Sequence, residues 1–420
     1  MPGRSPGDGF MPEPTGPERA LMTQADQPSV RAAEMAASDP TAPSGPRGKP
    51  AASRYQWMDI SRGLSVLLIV VVHSGSIYRV WSGGAIPGWI RSLDLALSPF
   101  RIPLLIFLSG VLLTRSLAKG SERFISGKLK NLAWPYLIWT AVILMANVGP
   151  VGLLSVKGWL GGTVLWYLTF LFIYYAIGLL FARVPVLVIA AYALALSMVL
   201  PVESKYGSRL FLLMAYFFVG AFAGQHLDRF TQAIRSTWIV ALLPLLVAIS
   251  YYCTQNPGTN YSPYLAPLII ALILCMCGVF NLFVGGAVAR AFQFAGRNSL
   301  VYYVAHVPIY VILYNILFGS GITSPYVCIG LALLLGVAIP TGLALLRERS
   351  RAVQLLFESP DFQVPPSFSR LARWLDRTLL PPALLPKAAA APPAPQAVAA
   401  PAFVSMPVHQ TSYPGSSVKP

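Results

Sequence analysis

The 420-residue chain is 55% hydrophobic and only 11% charged, and its mean hydropathy is +0.61. These values exclude an ordinary water-soluble globule and indicate a membrane protein. The net charge of +16 comes from basic residues in short clusters between apolar runs, not from a basic patch on a polar surface, so nucleic acid is not an expected partner. The four cysteines lie in or beside apolar runs, without the spacing of a disulfide framework or a metal site.

The two ends of the chain differ from its middle in composition. Residues 1–53 and 385–420 are rich in Pro and Ala and show no apolar periodicity, which predicts disordered tails. Residues 54–346 hold the apolar runs and form the predicted transmembrane domain. Because some fifty polar and Pro/Gly-rich residues precede the first apolar run, we expect that run to be a retained signal anchor and not a cleaved signal peptide.

The apolar runs are each long enough to cross a hydrocarbon core of about 30 Å as a helix. We therefore predict an all-α, polytopic transmembrane bundle of about ten spans. The predicted spans are 62–80, 98–117, 132–154, 164–182, 185–201, 209–227, 237–254, 265–287, 299–318 and 324–346.

Basic residues are distributed unevenly between the two sides of this predicted bundle. The connection between the second and third spans carries Arg115, Lys119, Arg123, Lys128 and Lys130, whereas the connections after the seventh and ninth carry no Lys or Arg. Since cytoplasmic loops are enriched in Lys and Arg, we place the first of these connections in the cytoplasm. An even number of spans then puts both termini in the cytoplasm, and we expect the plasma membrane, in a bacterium the inner membrane, as the location.

The first span carries two polar residues that are costly to keep in a membrane, Arg62 and His73. On an α-helix they lie within about 20° of the same face and about 16 Å apart along the axis. Arg62 fits a snorkelling anchor or a ligand-binding cation at the cytoplasmic mouth. His73, near the middle of the membrane, fits a histidine satisfied by a backbone carbonyl or a catalytic base. Asp59 fits a helix cap or a residue that orients Arg62 or His73.

Polar residues on other spans are expected near the depth of His73. Ser109 lies about 12 Å into the second span, and His306 about 11 Å into the ninth. Ser109 fits close helix packing or a site residue, and His306 fits either a cap for backbone freed by Pro308 or a site residue. Trp166, at the start of the fourth span, fits an aromatic belt or a site.

The segment 347–384, which follows the last span, is predicted to be basic, amphipathic and cytoplasmic. Its apolar residues fall on one helical face, and Arg370, Arg373 and Arg377 fall on another. This pattern fits a helix that lies on an anionic membrane surface or an ordinary soluble helix.

The polar residues above belong to four motifs that occur in order between residue 55 and about residue 345. The motifs are Met58-Asp59-Ile60-Ser61-Arg62-Gly63 followed by His73, Ile102-Pro103-Leu104-Leu105-Ile106-Phe107-Leu108-Ser109-Gly110, Leu165-Trp166-Tyr167-Leu168, and Gly296-Arg297-Asn298-Ser299-Leu300 through His306. In these motifs the chain resembles the acyltransferase-3 family of integral membrane acyltransferases, in particular its fucose-4-O-acetylase-like branch. The most specific element is a basic residue followed, after ten positions, by a histidine.

The resemblance implies a membrane-bound O-acyltransferase. Such an enzyme moves an acyl group, here expected to be acetyl, from acyl-CoA to a hydroxyl of a saccharide, glycolipid or secreted small molecule. Acyl-CoA is then a co-substrate, and no bound cofactor is expected. The chain departs from the family pattern in two places. It has Lys128 and Asn131, with Lys130 nearby, where two arginines are common, and Arg101 where the branch often has a histidine.

The residues and the resemblance together predict a mechanism. Arg62, Lys128 and Lys130 bind the phosphates of the donor at the cytoplasmic mouth, and His73 acts as general base on the acceptor hydroxyl. Candidates for orienting the acceptor or stabilising the oxyanion are Ser109, Trp166 and His306. The main alternative is a secondary transporter or flippase that uses the same mid-membrane His and Arg residues, but the chain shows no two related halves.

Overall fold

The structure, a computed structural model, describes residues 55–84, 86–162, 164–201, 207–360 and 365–384. Within these ranges every regular element is a helix, which confirms the predicted all-α class. The predicted tails, 1–53 and 385–420, lie outside the described residues.

Sixteen α-helices can be numbered in chain order along the described ranges. They are α1 Gln56–Ser82, α2 Gly88–Val111, α3 Leu113–Leu117, α4 Ser121–Lys128, α5 Trp134–Val148, α6 Trp166–Leu180, α7 Val186–Val199, α8 Ser208–Gln225, α9 Leu227–Ile234, α10 Leu243–Gln255, α11 Ala266–Leu282, α12 Gly286–Arg297, α13 Ser299–Gly319, α14 Pro325–Arg347, α15 Arg351–Leu355 and α16 Pro366–Leu379. A π-helical turn, Leu129–Ala133, joins α4 to α5.

Seven helical stretches of the described chain are long and apolar enough to cross a membrane. They are Gln56–Ser82, Gly88–Leu117, Ser121–Val148, Ser208–Gln225, Pro263–Leu282, Ser299–Gly319 and Pro325–Arg347. Each of the ten predicted spans contains a helix, but α6, α7 and α10 have 15, 14 and 13 residues, fewer than the roughly 20 that a full crossing needs. The polytopic helical bundle is confirmed, whereas ten spans and two cytoplasmic termini stay predictions.

Close backbone contact joins α1 to α12 through two glycines of the sequence motifs. A Cβ atom on Gly63 would stand 1.9 Å from the carbonyl oxygen of Phe292, and one on Gly296 would stand 1.8 Å from that of Asp59. Only residues without a side chain allow helices to approach this closely in a membrane. Because the residue numbers rise on one helix as they fall on the other, α1 and α12 are antiparallel.

The motif glycine beside Ser109 has the same role between α2 and α8. A Cβ atom on Gly110 would stand 1.9 Å from the carbonyl oxygen of Phe217, and one on Gly220 would stand 2.1 Å from that of Phe107. Glycines next to Arg62 and Ser109 therefore fix the helices that carry these two polar side chains.

Two buried tyrosines hold α13 against α1. The hydroxyl of Tyr310 donates to the carbonyl oxygen of Val70 at 3.0 Å, and that of Tyr314 donates to the carbonyl oxygen of Ser74 at 2.7 Å. Both bonds join residues 240 positions apart, so the two helices run parallel. This pairing fixes the register of the two helices that carry His73 and His306.

Candidate functional site

A cavity of about 400 Å³ opens between α1, α2, α4, α6 and α13. Its charged lining residues are all cations, Arg62, Lys119, Arg123 and Lys128. No Asp or Glu is among the described residues that line it. A site of this charge favours an anionic ligand, and guanidinium and ammonium groups are the usual partners of phosphate in proteins. We call this the basic cavity.

Two of these cations are held in place by the second motif. The Arg62 Nη2 donates to the carbonyl oxygen of Leu108 at 3.1 Å. The Lys128 Nζ lies 3.4 Å from the ring centroid of Tyr175, a cation–π contact, and the Tyr175 hydroxyl donates to the carbonyl oxygen of Ser109 at 3.0 Å. Because Leu108 and Ser109 are adjacent, the same turn of α2 positions both cations.

The structure separates the two lysines predicted to bind the donor. Lys128 lines the basic cavity together with Asn131, but Lys130 is not among its lining residues. Residues three apart lie on the same side of a helix, whereas a residue two positions on points to another side. Lys130 is therefore placed away from the cavity, and Lys119 and Arg123 line it instead.

Lys119 and Arg123 were interpreted from the sequence only as determinants of topology. The sequence nevertheless contains a signal for them, because Arg115, Lys119 and Arg123 recur every four residues. On one continuous helix that spacing would place the three cations on one face, but in the structure α3 ends at Leu117 and α4 begins at Ser121, so the three lie on α3, on the connecting turn and on α4. Arg115 lines an adjoining cavity of about 350 Å³ that shares Lys119 and Lys128 with the first.

Ser109 lies beside Arg62 and not at the depth of His73. The predicted layer of His73, Ser109 and His306 is therefore wrong for Ser109. The helix α2 begins at Gly88, ten residues before the predicted start of the span. Its early residue Ile90 packs against Gly75, near the far end of α1. α2 is thus antiparallel to α1, and Ser109, near the end of α2, lies beside the start of α1, where Arg62 is.

His73 and His306 lie at similar depth, as predicted, and the structure also shows that their rings are in contact. Their ring centroids are 5.1 Å apart, with an interplanar angle of 43°. The Nδ1 of His73 lies 3.0 Å from the carbonyl oxygen of Ile69, and that of His306 lies 2.9 Å from the carbonyl oxygen of Tyr302. Since a carbonyl oxygen only accepts, each Nδ1 carries a hydrogen and each Nε2 of the neutral ring has a lone pair.

His306 does not cap the backbone carbonyl that Pro308 leaves without a hydrogen bond. A proline frees the carbonyl four residues before it, here at residue 304, but His306 binds the carbonyl of Tyr302. The side chain is 1% exposed, and its Nε2 has no hydrogen-bond partner among the described groups. A buried acceptor without a partner is unfavourable, and the His306 Nε2 is one of several such atoms among the described residues.

A row of aromatic residues connects the basic cavity to the histidine pair. Tyr167 and Tyr303 line the cavity and pack with ring centroids 5.2 Å apart. The Tyr303 ring lies 6.1 Å from that of His306. The Ser109 Oγ lies 3.5 Å from the Tyr167 hydroxyl oxygen and donates to the carbonyl oxygen of Leu105 at 2.8 Å. Tyr167 belongs to the third sequence motif, which fits an aromatic belt or a site, whereas Tyr303 has no such signal although it lies one helical turn before His306.

Asp59 is not the helix cap that was predicted, whereas the role of Trp166 as a site residue stays a prediction. Trp166 packs edge-on against Phe170, with centroids 5.0 Å apart, and is not among the residues that line the basic cavity, whereas its neighbour Tyr167 is. The N-cap of α1 is Tyr55, so Asp59 lies buried in the first turn. A carboxylate there still stabilises the helix through its dipole.

A second cavity, of about 420 Å³, lies farther along α1 and α13. Ile77 and Trp81 of α1, Asn147 of α5, Val307 of α13 and the loop residue Lys157 contribute to its lining. The basic cavity uses the earlier part of α1 and α13 and this outer cavity uses the later part. His73 lies on α1, and His306 on α13, between the residues that line the basic cavity and those that line the outer cavity.

The long apolar helices indicate an integral membrane protein, and its described part holds a cationic cavity and a pair of histidines in contact. A family model described as an acyltransferase domain, the acyltransferase-3 family, matches residues 55–343, and the chain belongs to this family of membrane acyltransferases. Searches of curated proteins and of solved structures gave no match. The matched range contains both cavities and both histidines and ends before α15 and α16.

Proposed function

We propose that the protein is an acyl-CoA-dependent O-acyltransferase of the plasma membrane, in a bacterium the inner membrane. It would transfer an acyl group, acetyl in the simplest case, to a hydroxyl of a saccharide, a glycolipid or a secreted small molecule. The observation that supports the proposal is a cationic cavity whose lining tyrosines, Tyr167 and Tyr303, pack in a row against His306 and, through it, His73.

The basic cavity suits the phosphate-bearing part of coenzyme A. The Arg62 guanidinium, fixed by the Leu108 carbonyl, retains donors for phosphate oxygens, and Lys128 adds a second positive charge to the same cavity. Lys119 and Arg123 extend the cationic surface. The thioester end of the donor would then reach past Tyr303 towards the histidine pair.

His73 is the better placed of the two histidines to act as the base, because its side chain is partly exposed whereas His306 is fully buried. The Ile69 carbonyl fixes the tautomer, so Nε2 can take the proton of the acceptor hydroxyl as its oxygen attacks the thioester carbonyl. The carbon–sulfur bond then breaks, and the coenzyme A thiolate recovers the proton from the imidazolium. His306 packs beside this ring and is assigned to orienting the acceptor.

Stabilisation of the oxyanion is assigned to Tyr167. Ser109 uses its hydroxyl hydrogen in the bond to Leu105, so Tyr167 is the donor in the long 3.5 Å contact with Ser109, and this hydrogen would turn from Ser109 to the oxyanion. A donor placed where negative charge develops is usually the largest single contribution that an enzyme makes to acyl transfer.

The outer cavity is assigned to the acceptor. Asn147 and Lys157 supply polar groups there, and Trp81 supplies an aromatic surface, a combination that suits a saccharide with hydroxyls and an apolar ring face. Val307 directly follows His306, and Ile77 lies one helical turn beyond His73. Donor and acceptor would therefore approach the histidines from opposite ends of the bundle.

The proposal is tested with purified protein in lipid vesicles supplied with acetyl-CoA and a mixture of saccharides. We expect release of free thiol that depends on the saccharide, together with a product heavier by one acetyl group. Membrane-impermeant donor and acceptor on opposite sides should react, because they would approach the histidines from opposite ends of the bundle. Movement of a solute across the membrane without thiol release would instead support the transporter alternative.

A further inference from the structure

The segment after α14 packs on α5, the helix that follows the π-helical turn beside the basic cavity. The Trp134 Nε1 donates to the carbonyl oxygen of Leu355 at 2.7 Å, and the Trp139 Nε1 donates to that of Leu356 at 2.9 Å. Phe357 is fully buried and packs on Trp139, with ring centroids 5.5 Å apart. Both tryptophans belong to α5, so the segment is fixed to the helix that follows Lys128 and the π-helical turn.

Farther along, α16 caps the first turn of α4. The backbone N–H of Ser121 donates to the Oδ1 of Asp376 at 2.7 Å. Ser121 is the first residue of α4, and its own N-cap residue is Gly120, which has no side chain to serve the free N–H groups. A carboxylate at this place satisfies one of them and interacts favourably with the helix dipole.

A second contact holds α16 in this position. The Arg183 Nη2 donates to the carbonyl oxygen of Arg377 at 2.8 Å. Ala372 and Leu380 are each 1% exposed, while Arg370 and Arg373 face outward. The helix thus packs against the protein on one side, and its basic side is the exposed one.

The capped helix is the one that carries part of the donor site. Of its eight residues, Arg123, Phe124, Gly127 and Lys128 line the basic cavity. α4 is the start of the continuous helical stretch Ser121–Val148, and the first turn of a helix depends on partners for its free N–H groups. Loss of the bond to the Ser121 N–H would therefore loosen the first turns of α4, which position Arg123 and Lys128.

We propose that Asp376 is a positioning residue for the donor site, acting through α4. The inference rests on the proposed function, because it takes the ligand of the basic cavity to be acyl-CoA. It concerns a part of the chain beyond the range 55–343 that matches the family, so the family match does not assign it. The C-terminal segment holds α4 in the conformation that binds the phosphates.

The test compares Asp376→Ala with Asp376→Asn and with Arg373→Ala, a change on the exposed side of α16, in the full-length protein. Loss of a cap costs about 1 kcal/mol, which corresponds to about a fivefold change in an equilibrium. We expect amide hydrogen exchange of residues 121–128 to rise about fivefold in Asp376→Ala, with exchange in α13 unchanged. Asp376→Asn keeps an acceptor oxygen and should show a smaller rise, and Arg373→Ala none.

Donor binding is measured next, with coenzyme A as the probe. Its Kd should rise severalfold in Asp376→Ala, and the KM for acetyl-CoA should rise in parallel while kcat stays within about twofold of the wild type, since the substitution leaves the reacting groups in place. Unchanged exchange in residues 121–128 would overturn the inference, as would faster exchange with an unchanged Kd. If coenzyme A failed to bind the wild-type protein, the proposed function would fail, and this inference with it.

Discussion

Replacing Gly63 with alanine tests the link between helix packing and the donor site. The added Cβ would stand 1.9 Å from the carbonyl oxygen of Phe292, and ordinary contact begins at 3.4 Å, so α1 and α12 must separate by about 1.5 Å. The neighbour is backbone and cannot rotate away. Overpacking of this kind costs about 1–3 kcal/mol. Because Gly63 follows Arg62, the movement also strains the 3.1 Å bond from Arg62 to Leu108.

The assay for this substitution is unfolding of the purified protein in detergent, combined with coenzyme A binding. We expect Gly63→Ala to lower both the free energy of unfolding and the affinity for coenzyme A. Gly330→Ala is the matched control, since Gly330 also lies within a long helix and a Cβ there would meet nothing within 4 Å. If Gly63→Ala were as stable as Gly330→Ala and bound coenzyme A normally, the crossing of α1 and α12 described above would be wrong.

Three further substitutions separate the parts of the site. Lys128→Met removes a cation from the basic cavity and should raise the KM for acetyl-CoA by about 10- to 100-fold, since a hydrogen bond to a charged group contributes about 1.5–3 kcal/mol. Lys130→Met, outside the cavity, should leave that KM unchanged, and equal effects of the two would contradict the assignment. Tyr310→Phe removes a buried bond to α1 and should destabilise the protein by about 1–3 kcal/mol in detergent unfolding, whereas Tyr326→Phe, which is 72% exposed, should not. Lys157→Gln should raise the KM for the acceptor but not for acetyl-CoA, and the reverse pattern would exclude the outer cavity as the acceptor site.

Hydropathy predicted the helices well because a bilayer leaves few alternatives to them, but it misplaced the start of the second. The ten residues before the predicted start include Arg91 and Asp94, which lower the local hydropathy. In the structure Asp94 pairs with Arg101 at 2.6 Å, so a charged stretch remains helical. Hydropathy averages over single residues and does not register an ion pair within one helix, which is why Ser109 was predicted at the wrong depth.

Site residues could be predicted from the sequence where burying a polar side chain in the membrane costs much free energy. His73 and His306 were identified because an imidazole in an apolar run needs a reason, and they do meet. Lys119 and Arg123 were missed because basic residues at the ends of spans also serve topology. Tyr303 gave no comparable signal, since aromatic residues are frequent throughout this chain.

Pairwise contacts between distant parts of the chain could not be derived from the sequence at all. The capping of Ser121 by Asp376 joins residues 255 positions apart. The sequence did predict that 347–384 would contain an amphipathic helix, and α16 is that helix. Its packing against α4 depends on the tertiary arrangement, and its predicted contact with an anionic membrane surface stays a prediction.

The measurement that tests the central claim most directly is acyl transfer by His73→Ala in vesicles, with His226→Ala as the control. His226 is exposed and packs on Phe222, away from both cavities formed by the described residues. Loss of a general base reduces the rate by about 10²- to 10⁴-fold, while coenzyme A binding should stay near the wild-type value. We predict that reduction for His73→Ala and none for His226→Ala. Unchanged thiol release and acetyl product from correctly inserted His73→Ala protein would contradict the account.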